Sequence, residues 1–147
     1  MEKVIVTLRR AIADDEWVDR LCGPVATALR NLDPPGLTIN VRDAQVRASL
    51  MTLTTLDPPV QALVSLWTQQ SYGPQIRGAL EILAREADLV AAYLVTESAP
   101  MPPPMSPPGA RAAGLANIAL LRRPADMDEA TWLTRCCLLY TSDAADE

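Results

Sequence analysis

The sequence predicts an α+β protein whose first part follows the order β-α-β-β-α-β. Three observations carry this. Short runs alternate apolar and polar residues with the period of a half-buried strand. Two longer runs repeat apolar residues every three or four positions, as an amphipathic helix does. Clusters of Pro, Gly and Asp separate the runs.

The elements follow in chain order. Over residues 3–10, Val4, Val6 and Leu8 point one way and Ile5, Thr7 and Arg9 the other, which predicts a strand. Asp14, Asp15 and Glu16 supply a helix N-cap and an acidic first turn. Trp17, Leu21, Val25, Ala28, Leu29 and Leu32 then recur at helical spacing, predicting a helix over roughly 15–32 that Gly23-Pro24 should kink or break. Asp33-Pro34-Pro35-Gly36 is a stop and turn. Leu37, Ile39 and Val41 alternate with Thr38, Asn40 and Arg42, a second strand. A short helical turn is expected around Ala44–Leu50, closed by Asp57-Pro58-Pro59.

Val60 to Thr68 predicts a third, fairly apolar strand. Pro74 stands near the start of the next helix. Its face is marked by Ile76, Leu80, Leu83, Ala87 and Val90, and Ala91 to Ser98 follows as the fourth strand. This order is the split βαβ, ferredoxin-like arrangement: a four-stranded antiparallel sheet with both helices on one face. Ile5, Leu63 and Leu66 place apolar side chains on both sides of the strands, so the other sheet face is expected to need cover.

Composition bounds the function. The chain has 147 residues, 49% of them hydrophobic, enough for a domain with a real core and too many for a disordered chain. There is no Phe, so Leu, Val, Ile and Ala must build that core. Net charge is -5, and no predicted element gathers its Arg residues into a basic face, which argues against nucleic acid as a partner. No window reaches the apolar length of a membrane span. The N-terminus MEKVIVTLRR lacks the apolar stretch of a signal peptide, and three Cys make no disulfide framework; a cytoplasmic location is expected. His is absent, which removes the commonest general base and metal ligand. No metal-ligand spacing, phosphate loop or nucleophile elbow occurs, so neither a metal nor a cofactor is expected.

Residues 99–113, APMPPPMSPPGARAA, predict a semi-rigid extended linker between repeats, or a PxxP ligand. After it the chain begins again. Ile118-Ala119-Leu120-Leu121-Arg122-Arg123 resembles Ile5-Val6-Thr7-Leu8-Arg9-Arg10, each followed by an acidic cap and a Trp. Trp17-Val18-Asp19-Arg20 matches Trp132-Leu133-Thr134-Arg135. The expected organisation is a first repeat over 1–98, the linker over 99–113, the incomplete start of a second repeat over 114–136, and a non-native tail over 137–147. That tail, CLLYTSDAADE, continues no helical face. It resembles a translated sequencing-library adapter, in which TGT-CTC-TTA-TAC-ACA-TCT-GAC-GCT-GCC-GAC encodes Cys137 through Asp146. The alternative is a natural frayed terminus.

On VIVTLRR, GLTINVRDA, SLMTLTTLDPPVQALVSLWTQQ and GLANIALLRRP…TWLTR, residues 1–135 resemble the EthD family of dimeric α/β-barrel proteins. The resemblance implies two ferredoxin-like halves with sheets packed face to face, or one half that dimerises to the same barrel. It further implies a pocket for small, rather apolar or aromatic substrates, and a role in oxidative catabolism such as ether or aromatic degradation. Related proteins include monooxygenases, cyclases and isomerases, so a cofactor-free oxidoreductase or lyase is implied. Members often carry a Trp followed by His residues and a Pro in the first helix of a repeat. Here Trp17 and Pro24 are present, but Cys22-Gly23 stands where a His would be. Catalytic residues are therefore not assigned. An incomplete second repeat would leave the sheet face open, so self-association through it is expected.

Candidate binding residues are few. Trp67, Gln69, Gln70 and Tyr72 could wall a small-molecule pocket, or form a core Trp followed by a polar turn. Arg9, with Arg10 and the matching Arg122-Arg123, could recognise an anion at a barrel mouth, or protect a strand end. Cys22 reads as a buried structural thiol, and Asp43 as a turn carboxylate that could act as a base.

Overall fold

A computed structural model describes residues 1–48, 54–96, 107, 109–112, 116 and 118–141. Two compact units divide the chain, Met1–Leu115 and Ala116–Glu147. The first is an α+β unit built on a four-stranded antiparallel sheet in the order β2-β3-β1-β4, where β1 is Glu2–Arg9, β2 Gly36–Val41, β3 Val60–Thr68 and β4 Leu89–Val95. The helical segments are α1 (Asp15–Arg20), a π-helical turn (Leu21–Val25), α2 (Ala26–Arg30), α3 (Ala44–Ala48) and α4 (Pro74–Leu83).

Alternation along the strands decides what each sheet face meets. Val4, Val6 and Leu8 of β1 lie opposite Leu66, Val64 and Ala62 of β3. These residues join Trp17, Leu21 and Leu29 of the first helical stretch and Ile76, Ala79 and Leu83 of α4 in one buried cluster. Leu37, Ile39, Val41 and Val90 pack against it from the outer strands. Aliphatic side chains thus fill the core, as the missing Phe requires, around the fully buried Trp17.

Trp17 is fixed at three points. Asp14 caps α1 by accepting the Trp17 backbone N–H at 2.9 Å. The indole Nε1 donates to the Glu86 carbonyl at 2.8 Å. The Arg10 guanidinium lies 5.1 Å from the ring centroid. Each contact satisfies a group that burial would otherwise leave costly.

Gly23-Pro24 interrupts the α-helix as expected, and two other expectations are corrected. Pro24 has no N–H to give, and the five-residue π-helical turn takes up the mismatch before α2 resumes. The second helix does not run to Val90. It ends at Leu83, because the Glu86 carbonyl is taken by Trp17 and the Asp88 N–H is drawn to the Arg9 carbonyl at 3.0 Å, starting β4 two residues before the expected Ala91. In the second unit, 118–123 forms no strand, and Ile118, Leu120 and Leu121 are exposed. Strand pairing needs a neighbour that an alternating pattern cannot supply.

The helix expected after that segment does form. α5 spans Glu129–Thr141, and Asp128 caps it by accepting the Thr131 N–H at 2.9 Å. It runs past Cys136 and Cys137, so the preceding helix and the first part of the suspect tail share one backbone helix. Trp132 falls four residues after its cap where Trp17 falls three after its own, so the two starts match in residue type but differ in helical phase. Most of the 99–113 linker, residues 97–98 of the expected fourth strand, Leu50 and residues 142–147 lie outside the described residues. No helix among the described residues is long and apolar enough to cross a membrane.

Candidate functional site

The sheet face opposite α1, α2 and α4 carries the candidate arrangement of side chains. Three rows cross it. Asn40, Leu63, Thr7 and Ala91 form one; Thr38, Ser65, Ile5 and Tyr93 the next; Gly36, Trp67, Lys3 and Val95 the third. The first row is largely closed, with Thr7 and Leu63 buried. The face opens toward the third row and the β4 side: Trp67, Lys3 and Ile5 are half-buried, and Tyr93 is 52% exposed.

Trp67 lies flat because of its neighbour on β2. A Cβ added to Gly36 would stand 2.9 Å from Trp67 Cε3 and 3.2 Å from Cδ2. Only glycine lets the ring rest directly on the backbone. Lys3 places its ammonium 4.4 Å from the ring centroid on the same face. The result is an aromatic plate with an adjacent cation, with Ile5 diagonal to it on β1 and Tyr93 and Val95 one strand further on β4.

Gln69 and Tyr72 sit past the end of β3, in a turn closed by the Gly73 N–H donating to the Gln70 carbonyl at 3.0 Å. Thr68 anchors the turn: its buried hydroxyl meets Gln75 Oε1 at 3.0 Å and accepts the Gln70 N–H at 3.1 Å. With Glu2, Gln70, Ser71 and Gly73, the two residues line a shallow, open depression of about 340 Å³. Glu2 accepts the Ser71 N–H at 2.7 Å, and the Ser71 hydrogen bonds hold its carboxyl below the usual range. Tyr72 is 88% exposed and stands out into solvent, while Trp67 does not line the depression.

Arg9 is far from this corner. It pairs with Val60 at the opposite end of β1, roughly 20 Å from Lys3 at about 3.3 Å per residue. Its Nε donates to the Pro58 carbonyl at 2.7 Å and its Nη2 to the Asp57 carbonyl at 2.8 Å. These bonds tie the 57–59 loop to the strand. Arg9 and Trp67 therefore belong to different ends of the unit.

Cys22 lies in the π-helical turn and is exposed, which corrects the buried thiol expected from the sequence; partial desolvation still pushes its thiol up. Asp43 accepts the Val46 N–H at 3.0 Å and pairs with Arg111; the Val46 bond first, and Arg111 with it, hold its carboxyl low. A carboxyl so engaged is a helix cap and a poor base. No group of three or more Cys, Asp or Glu among the described residues could hold a metal ion.

Sequence reasoning found Trp67 and overlooked Gly36, Lys3 and Tyr93. Their meeting depends on strand register, for which the sequence offers only the alternation within each strand. Compared with known proteins, the chain matches no family model, and no curated protein is significantly similar to it.

Proposed function

We propose that the chain is an EthD-like protein of ferredoxin-like fold whose open sheet face binds a small apolar or aromatic molecule. The strand order β2-β3-β1-β4, with the helices packed on one face, supports the fold assignment. The observation that carries the binding site is the Trp67 ring laid flat on Gly36 at the open corner of the opposite face. A flat indole diagonal to Ile5, on the face that also carries Tyr93 and Val95, offers stacking area at little conformational cost. In this reading a second copy covers the face, and the protein serves oxidative catabolism as a cofactor-free oxidoreductase or lyase.

The test is an NMR titration of the full chain with a panel of small aromatic compounds and ethers, following the indole resonances. Saturable shifts at Trp67, lost in Trp67→Ala with the fold intact, are expected. Binding that survives Trp67→Ala unchanged, or no saturable binding by any compound, sinks the reading.

A second reading, a non-catalytic assembly module, is favoured by the chemistry of the side chains. The chain has no His, and the Cys22 thiol is pushed away from the thiolate. Turnover of any ligand that binds at Trp67 would exclude it.

A further inference from the structure

We propose that Gln75 is a positioning residue of the Trp67 plate: its carboxamide ties together the two connections that carry Gly36 and Trp67, and so sets how the ring lies on the strand. The consequence for binding rests on the ligand reading above; the consequence for the ring does not.

Gly36 opens β2, Trp67 stands next to last in β3, and the two face each other across the sheet. Both lie at strand ends, where an irregular connection begins. Residues 31–35 lead from α2 into Gly36, and residues 69–73 lead from β3 into α4. The ring rests so close to the Gly36 backbone that an added Cβ would stand 2.9 Å from Cε3. Strand pairing fixes which residues meet, but a small shift of either connection would tilt or open that contact.

One side chain bonds both connections. Gln75, in the first turn of α4, donates from Nε2 to the Leu32 carbonyl at 2.8 Å and to the Asp33 carbonyl at 2.9 Å. Both amide hydrogens go to carbonyls, so Oε1 faces Thr68 and accepts its hydroxyl at 3.0 Å. The carboxamide thus reaches the third residue before Gly36 and the residue after Trp67. A Glu, when ionised, has no donor for the two carbonyls, and Asn is one methylene shorter.

The Asp33 side is where a tie is needed. Asp33 has a φ of 54°, in the left-handed region that a residue other than glycine enters at a cost. Its carbonyl is one of the two that Gln75 holds, so the bond favours this conformer. Pro34 and Pro35 follow with fixed φ, which passes a change at Asp33 to Gly36 with little slack. On the other side Thr68 is 2% exposed and also accepts the Gln70 N–H at 3.1 Å, which fixes the start of the turn. The clamp is mounted on α4, whose Ile76, Ala79 and Leu83 are anchored in the core.

The experiment follows the indole N–H resonances of the full chain by NMR, with urea unfolding of every variant. Gln75→Glu keeps the shape and removes both donors; Gln75→Met removes them without adding charge. Each should move the Trp67 resonance and leave that of Trp17, whose indole is held by the Glu86 carbonyl. Ile76→Val is the control: it destabilises the same helix from the core side and makes none of these bonds, so it should lower stability without moving Trp67. With Gly36→Ala, the shifts caused by Gln75→Met should be non-additive. Phenol is the binding probe. Gln75→Met should weaken its saturable binding about fivefold, the worth of one net hydrogen bond, and Ile76→Val should not. A Trp67 resonance unmoved by both Gln75 variants, or moved as much by Ile76→Val, overturns the proposal. So does phenol binding that survives both Gln75 variants unchanged. If phenol does not bind the wild-type chain, the ligand reading loses its support there, and the resonances decide the positioning role alone. If one Gln75 variant does not fold, the other carries the same outcomes.

Discussion

Gly36→Ala tests whether the Trp67 plate rests on the β2 backbone. Two effects of opposite sign compete. Alanine restricts the unfolded chain more than glycine does, which stabilises a strand by about 0.5–1 kcal/mol. Against this, the new Cβ would stand 2.9 Å from Trp67 Cε3, where carbons settle at about 3.5–4.0 Å. The ring must lift by roughly half an ångström or tilt. It cannot do so freely, since Cε3 and Cδ2 lie in the fused ring near its attachment and Lys3 sits beside it. Overpacking of this kind costs about 1–3 kcal/mol, which at mid-range exceeds the gain and leaves a net loss of about 1 kcal/mol. Urea unfolding measures it, and the Trp67 indole resonance should move at the same time. Gly78→Ala is the matched control: in α4 its Cβ would meet only Leu32 Cδ2 at 3.5 Å and Cδ1 at 3.7 Å, ordinary contact. There the helix propensity gain of about 0.5–1 kcal/mol should appear undiminished. If Gly36→Ala stabilises the protein as much as Gly78→Ala does, the ring does not lie on the strand.

Three further outcomes are expected. Trp17→Phe should cost about 2–4 kcal/mol in urea unfolding, because it opens a cavity and removes the indole donor from the Glu86 carbonyl; a loss below about 1 kcal/mol would contradict the role given to that bond. The Asp43 carboxyl is held low, so its contribution to stability is complete above the unfolded value of about 4 and disappears as pH falls through the lower folded value. Asp43→Asn should accordingly flatten the acid limb of the stability curve below about pH 4, and parallel limbs would refute this. Cys22 is exposed, but partial desolvation pushes its thiol up, so iodoacetamide should label it more slowly than an unstructured cysteine at neutral pH, with site-resolved mass spectrometry as the readout; equal rates would count against it.

Much of the first unit was legible because its strands are half-buried and therefore alternate. Val60–Thr68 forms the strand its sequence predicts, and Val4, Val6 and Leu8 face the helices as their spacing requires. What was not legible depends on partners distant in sequence. Ala87 and Val90 fit the helical face of α4, yet the chain leaves the helix at Leu83. The deciding groups are the Trp17 indole and the Arg9 carbonyl, many residues away. The 118–123 run shows the converse. Its alternation matches β1, but alternation marks a segment able to pair and does not supply the strand it pairs with.

The arginines explain why the open corner is the better candidate site. Arg9 and Arg10 gave the sequence its most suggestive anion-binding feature, and Arg47 lies at the same end of the unit. Each has a structural engagement there. Arg9 holds the carbonyls of Asp57 and Pro58. Arg10 reaches the Glu86 carbonyl at 3.4 Å and covers Trp17. Arg47 binds the carbonyls of Ala13 and Arg42, at 2.8 and 2.9 Å, and pairs with Asp15. A guanidinium whose donors already serve loop carbonyls must break those bonds to take a ligand, at a cost that an exposed anion contact does not recover. These residues close the connections around the sheet end where Thr7 and Leu63 are covered. At the other end the sheet offers an indole held flat by a glycine, on a face that also carries the half-buried Ile5 and the half-exposed Tyr93. A ligand entering there displaces water from apolar surface, the more favourable exchange.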